Sequence, residues 1–190
     1  MERRELLGWM VTTGGLAALN RLSTSDLLSL GRDAHVRAVA SPVTAPALDA
    51  RAAAIVSAAA ERIIPATDTP GATQANVTAF IETMLGGWYA PADRERFVAG
   101  LVELDARARE LFTRAFVTCD PSQQVSLLEE YDDAVSALRG AQDTSANAHW
   151  FAMLKYLTVW GYCTSEVGMR ELLHTWPMPM RYDGNAKVGA

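Results

Sequence analysis

Cysteine is scarce in this sequence, at two in 190 residues, which is too few for a disulfide framework. The positions, Cys119 and Cys163, match no metal-ligand or redox spacing. No Gly-x-Gly-x-x-Gly turn follows a strand, no Gly-rich phosphate loop appears, and no Cys-x-x-Cys pair occurs, so the usual nucleotide and redox motifs are missing. A serine hydrolase lacks its nucleophile elbow, and no segment of length alternates as a strand would. An excess of positive charge is absent too. The net charge is -5 and the 17 Lys and Arg are scattered among acidic residues, so nucleic acid is excluded as a partner. Long apolar runs are also wanting: the uncharged stretch from Leu6 to Leu19 is diluted by Gly8, Thr12, Thr13, Gly14 and Gly15 and is short for a bilayer.

What is present is a globular composition, 49% hydrophobic and 21% charged. Without its first forty residues the chain keeps about 150, enough for one domain and one core. Arg3 and Arg4 stand directly ahead of the mildly apolar stretch and resemble a twin-arginine export signal, which places the protein in the periplasm. Ala38-Val39-Ala40 has the small-residue pattern of a cleavage site but lies some way beyond the apolar stretch. Two readings stand for residues 23–40: part of a removed leader, or a short helix kept in the mature protein. Twin-arginine export moves folded proteins, commonly with a cofactor aboard. This chain has no motif for one, and a simple resolution is that the signal serves a cofactor-bearing partner attached to it.

Residues 41–47, with Pro42 and Pro46, read as a linker, and 48–174 as a single all-α domain of about five helices. The first runs from Leu48 to Ile64 with Ile55, Val56, Ala59 and Ile63 on one face, and Pro65 stops it. A turn-rich loop follows. The second, 75–85, carries Val77, Phe80, Ile81, Met84 and Leu85 at i, i+3, i+4, i+7 and i+8, before Gly86-Gly87. A long helix over 91–116 turns Phe97, Leu101, Leu104, Ala108 and Leu111 inward. Asp120-Pro121 opens the next, which reaches Leu138. The last is expected over 147–173.

That last helix is apolar almost all the way round from Trp150 to Cys163, with Lys155 its only charge. Such a helix is buried on every side, either at the centre of its own bundle or with one face against a partner. After His174 the prolines at 177 and 179 forbid a helix, and residues 175–190 read as an extended tail bearing Trp176, Met178, Met180 and Tyr182. An apolar extended segment seats in a groove, either of its own bundle or of another protein. A partner interface is therefore expected from Trp160 through Tyr182, with Trp160, Tyr162, Trp176, Met178, Met180 and Tyr182 as anchors and Glu166 and Arg181 as polar contacts.

Several strings taken together resemble the gluconate 2-dehydrogenase subunit 3 family: the run from Glu61 to Ala72, Phe97 to Leu104-Asp105, Gln123-Gln124, Leu154-Lys155 to Leu157-Thr158, Gly161-Tyr162, Thr164 to Gly168, and Arg181 to Gly184. The resemblance spans about residues 50–185. It implies a small subunit without catalytic residues or cofactor of its own, beside a large FAD-dependent flavoprotein of the glucose-methanol-choline type that oxidises a sugar or sugar acid. A cytochrome c would accept the electrons, and the complex could bring the chain to a membrane. Cys163 and Cys119 depart from the family's usual residues. Folding the chain back near residue 141 would set 119 opposite 163, and the alternatives are a disulfide, favoured by export, or two buried thiols.

Rival readings have less to stand on. Glu171-x-x-His174 has the spacing of one half of a di-iron site in a helical bundle, but the second copy such a site needs is missing, which leaves both residues for the surface or an interface. A free-standing periplasmic binding or scaffold protein fits export and fold but leaves the apolar tail unexplained.

Overall fold

The computed structural model describes residues 23–40 and 47–174. These form six α-helices and no strand: α1 Thr24–Ala40, α2 Ala50–Ile63, α3 Val77–Gly87, α4 Pro91–Phe112, α5 Pro121–Gly140 and α6 Trp150–Thr164. Short 3-10 turns at Phe116–Thr118 and Thr144–Ala148 and a π turn at Gly168–Leu172 join or follow them. The five helices expected of 48–174 are all there, and a sixth precedes them. The expected interface residues Trp176, Met178, Met180, Arg181 and Tyr182, the extended tail itself, and Arg3 and Arg4 lie outside the described residues.

α6 is the axis of the fold. It packs against each of the other five helices, which is why a helix with no polar face is stable here. Of its fifteen residues only Lys155 escapes full burial, and its ammonium reaches Asp132 of α5 at 2.8 Å. The surrounding helices are amphipathic and turn one stripe inward: Ile55, Val56 and Ala59 from α2, Phe80, Ile81 and Met84 from α3, Phe97, Leu101 and Leu104 from α4, and Leu127 and Val135 from α5.

Local chemistry starts these helices. The Asp49 carboxylate accepts the Ala52 amide at 2.7 Å to open α2. Pro91 and Pro121 occupy first helical turns, where a missing N–H costs nothing, and Gln123 reaches back to accept the Asp120 amide at 3.0 Å. At α1, Ser23 Oγ accepts the Asp26 amide while the Asp26 carboxylate accepts the Ser23 amide, both at 3.2 Å.

Two helix boundaries differ from the sequence expectation. The long helix stops at Phe112 rather than 116 because Thr113 takes the left-handed conformation, φ 56°, and the turn leaves Leu111 half exposed instead of inward. The last helix is not continuous over 147–173. It ends at Thr164, where Ser165 Oγ donates to the Tyr162 carbonyl at 2.7 Å and accepts the Gly168 amide at 2.9 Å. Gly168 is required there, since any Cβ would run into the Tyr162 carbonyl.

The Cys119–Cys163 bridge is not formed in this structure: both are free, buried thiols. Cys119 follows the 3-10 turn that packs against α2 and α4, whereas Cys163 lies near the end of the central helix. Burial pushes the Cys163 thiol up to about 12, which leaves it protonated and unreactive.

Candidate functional site

The interface expected from Trp160 onward is corrected at its first two members. Trp160 and Tyr162 are fully buried in the chain's own core. The Trp160 indole meets Phe80 edge-on, ring centres 5.4 Å apart, and donates its N–H to the Leu27 carbonyl of α1 at 3.1 Å. The Tyr162 hydroxyl donates to the Pro70 carbonyl at 2.6 Å, in the loop between α2 and α3. An aromatic residue at the end of an all-apolar helix looks like an interface anchor by composition. Here neighbouring segments of the same chain already cover both faces.

Glu166 is exposed and pairs with Arg170 at 2.8 Å, as a rim residue would. Glu171 and His174 are exposed as well, but they lie on and just past a π turn, and His174 has φ 48°. The i, i+3 alignment that a regular α-helix would give them is therefore lost. Among the described residues no three His, Cys, Asp or Glu side chains come together in a group able to hold a metal ion.

Three polar residues from the strings that carried the family resemblance, Glu61, Asp105 and Gln124, fasten loops. Glu61, on the last turn of α2, accepts the amides of Ala66 at 3.1 Å and Thr73 at 2.9 Å, straddling the α2–α3 loop. Partial burial would raise its carboxyl, but those hydrogen bonds outweigh it and hold the group below the usual range. Tyr162 grips Pro70 from the other side, and the crest of the loop between these ties, residues 65–68, is exposed.

Asp105 does the same for the turn after α4. Its carboxylate is 1% exposed and accepts the Phe116 amide at 2.8 Å, Arg109 Nε at 3.0 Å and the Arg51 guanidinium. Burial alone would raise its carboxyl, but Arg51, the Phe116 amide and Arg109 prevail and lower it. Gln124 completes the clamp by donating to the Phe116 carbonyl at 2.9 Å, so the backbone of one residue is held at both its N–H and its C=O. The pattern of a carboxylate two turns before a helix end with an arginine four residues on is visible in sequence. The third partner, Arg51, comes from 54 residues away and is not.

Large apolar side chains do reach solvent. Val36 and Val39 on the outer face of α1 are 66% and 79% exposed, and Trp88 at the end of α3 lies beneath the Arg37 guanidinium, 5.0 Å from its ring centre.

Comparison with known proteins agrees with this architecture. Neither curated proteins nor solved structures provide a significant match. The model of the family described as gluconate 2-dehydrogenase subunit 3 matches residues 50–181, beginning at the first residue of α2 and taking in α2 to α6 with the turns between them, while α1 lies ahead of the match. On a match that covers well over half its length, the chain belongs to the gluconate 2-dehydrogenase subunit 3 family.

Proposed function

We propose that this chain is the non-catalytic small subunit of a periplasmic FAD-dependent sugar or sugar-acid dehydrogenase complex, and that it stabilises the large flavoprotein and escorts it through twin-arginine export. The observation that carries the reading is the family match over residues 50–181, since the family is named for a subunit of gluconate 2-dehydrogenase. The chemistry of the bundle supports a supporting role. Its best-buried carboxylate, Asp105, is consumed by two arginines and a backbone amide, and Glu61 by two backbone amides. Three helical glycines are covered from within the chain: Gly31 faces Thr164, Gly100 faces Trp150 and Gly161 faces Phe80. In this reading FAD, which accepts the electrons of sugar oxidation, belongs to the large subunit, with a cytochrome c as electron acceptor.

With Trp160 and Tyr162 committed to the core, docking falls to the tail anchors Trp176, Met178, Met180 and Tyr182, with Arg181 and Glu166 at the rim. Aromatic and Met side chains dominate interface energies, and prolines lower the entropy lost on docking. Co-expression with the neighbouring flavoprotein tests both halves of the reading. The double change Arg3→Lys and Arg4→Lys should keep both proteins in the cytoplasm, and deletion of 175–190 should abolish co-purification while leaving the melting temperature of the isolated subunit unchanged. Periplasmic flavoprotein at undiminished level with the double variant would overturn the escort role. A chain that is soluble, monodisperse and never bound to the flavoprotein would instead be a free-standing periplasmic scaffold.

A further inference from the structure

We propose that α1 is a built-in helix of the mature subunit, that Ala38-Val39-Ala40 is not a processing site, and that any removal of the leader falls before Ser23. The proposal rests on the export reading for its biological setting and on the packing of α1 for its physics. α1 lies outside the family match, yet it packs against α3 and α6 along its length. Near its start, the Leu27 carbonyl accepts the only N–H of the buried Trp160 indole. At its middle, Gly31 sits so close to α6 that a Cβ would lie 2.5 Å from Thr164 Cγ2. One turn on, Ala34 is fully buried, and His35 stacks on Phe80 at 4.8 Å while its Nε2 donates to the Gly161 carbonyl at 2.7 Å.

Loss of α1 would therefore take away the partner of the Trp160 indole N–H and uncover the α3–α6 seam at Phe80, Trp160 and Gly161. The supposed cleavage triplet also has the wrong shape. Ala38, Val39 and Ala40 form the last turn of α1, and a signal peptidase binds its substrate extended. Because the groups that seat α1 come from residues 80 and 160–164, the helix docks only once nearly the whole domain has folded, so a leader carried on it is mounted on a finished body.

The intact mass of the full-length chain recovered from the periplasm reads the N-terminus directly. A mass that places it at Ser23 or earlier is expected, and a chain beginning at Ser41 would overturn the proposal. If the chain is found only in the cytoplasm, the export reading fails and the seating of α1 is read by hydrogen exchange on the purified full-length protein. The amides of residues 28–39 are then expected to exchange roughly 100-fold or more slowly than in a free peptide. Gly31→Leu, which drives a side chain into Thr164, should erase that protection without touching α5. Exchange of α1 at the free-peptide rate in the unaltered protein would sink the idea.

Discussion

The two ends of the central helix are held by the same device used in opposite senses. At its N-terminal end α6 supplies the ring and the neighbour the glycine: Trp150 lies on Gly100 of α4, with Tyr131 of α5 edge-on at 4.9 Å. At its C-terminal end α6 supplies the glycine and the neighbour the ring, Gly161 beneath Phe80 of α3. The polar chemistry differs more sharply. Near Trp150 the ties join side chains at the rim, Tyr131 to Glu103 at 3.2 Å and Lys155 to Asp132, and the Trp150 indole N–H has no partner among the described residues. Near Trp160 three hydrogen bonds run between a side chain and a main-chain carbonyl, involving Trp160, Tyr162 and His35. One end is fixed by packing volume; the other is also sewn to the backbones of α1 and the α2–α3 loop.

The largest effect expected from this contrast is at the packed end. Trp150→Ala leaves a void over Gly100 that the surrounding rings cannot fill, and should cost about 3–5 kcal/mol in denaturant unfolding. A loss under 1 kcal/mol would mean that the cluster of Tyr131, Phe151 and His149 repacks and that volume is not what holds this end. At the sewn end Tyr162→Phe keeps the ring and removes one hydrogen bond, for about 0.5–1.5 kcal/mol. Its sharper signature is local: proteolysis should quicken in the 65–71 loop and nowhere near Trp150. Equal acceleration at both ends would break the comparison.

The smallest effect is that of pH, and it touches one histidine at each end. Burial lowers His35, partly offset by its bond to Gly161, and burial lowers His149, partly offset by Glu103. For both, the folded state binds protons less readily than the unfolded chain, whose histidines titrate near about pH 6.5. Their contribution to stability is therefore complete above that pH and is lost as pH falls from there through the lowered folded values. His149 adds a specific reason, because its Nδ1 accepts the Phe151 amide at 3.2 Å as the N-cap of α6 and cannot do so once protonated. The urea midpoint should be lower at pH 5 than at pH 8. His149→Asn, which can cap without titrating, should flatten part of that slope, and His35→Gln another part. An unchanged slope in both variants would show that the acid sensitivity lies with other groups.

Much of the helical layout was readable along the chain because its causes are local. The 3.6-residue spacing of Val77, Phe80, Ile81, Met84 and Leu85, the stop at Pro65 and the Asp120-Pro121 start each act within a few residues, and the structure places α2, α3 and α5 accordingly. What could not be read was Thr113 turning left-handed, which ends α4 early, or the break at Ser165. Both are settled by partners the local pattern does not contain: Asp105 holding Phe116 across the turn, and the Tyr162 carbonyl crowding Gly168.

By itself, then, the sequence determined an all-helical domain, its family, and a helix from Trp150 that had to be buried, since a segment without a polar face is stable nowhere else. Which surfaces would bury it was beyond composition. Trp160 and Tyr162 have the character of interface anchors, and only the tertiary structure assigns them inward, because α1 and the α2–α3 loop bring the Leu27 and Pro70 carbonyls to their polar atoms. Those meetings join residues 133 and 92 positions apart, and a contact of that range is decided by how helices pack, not by the periodicity of any one of them.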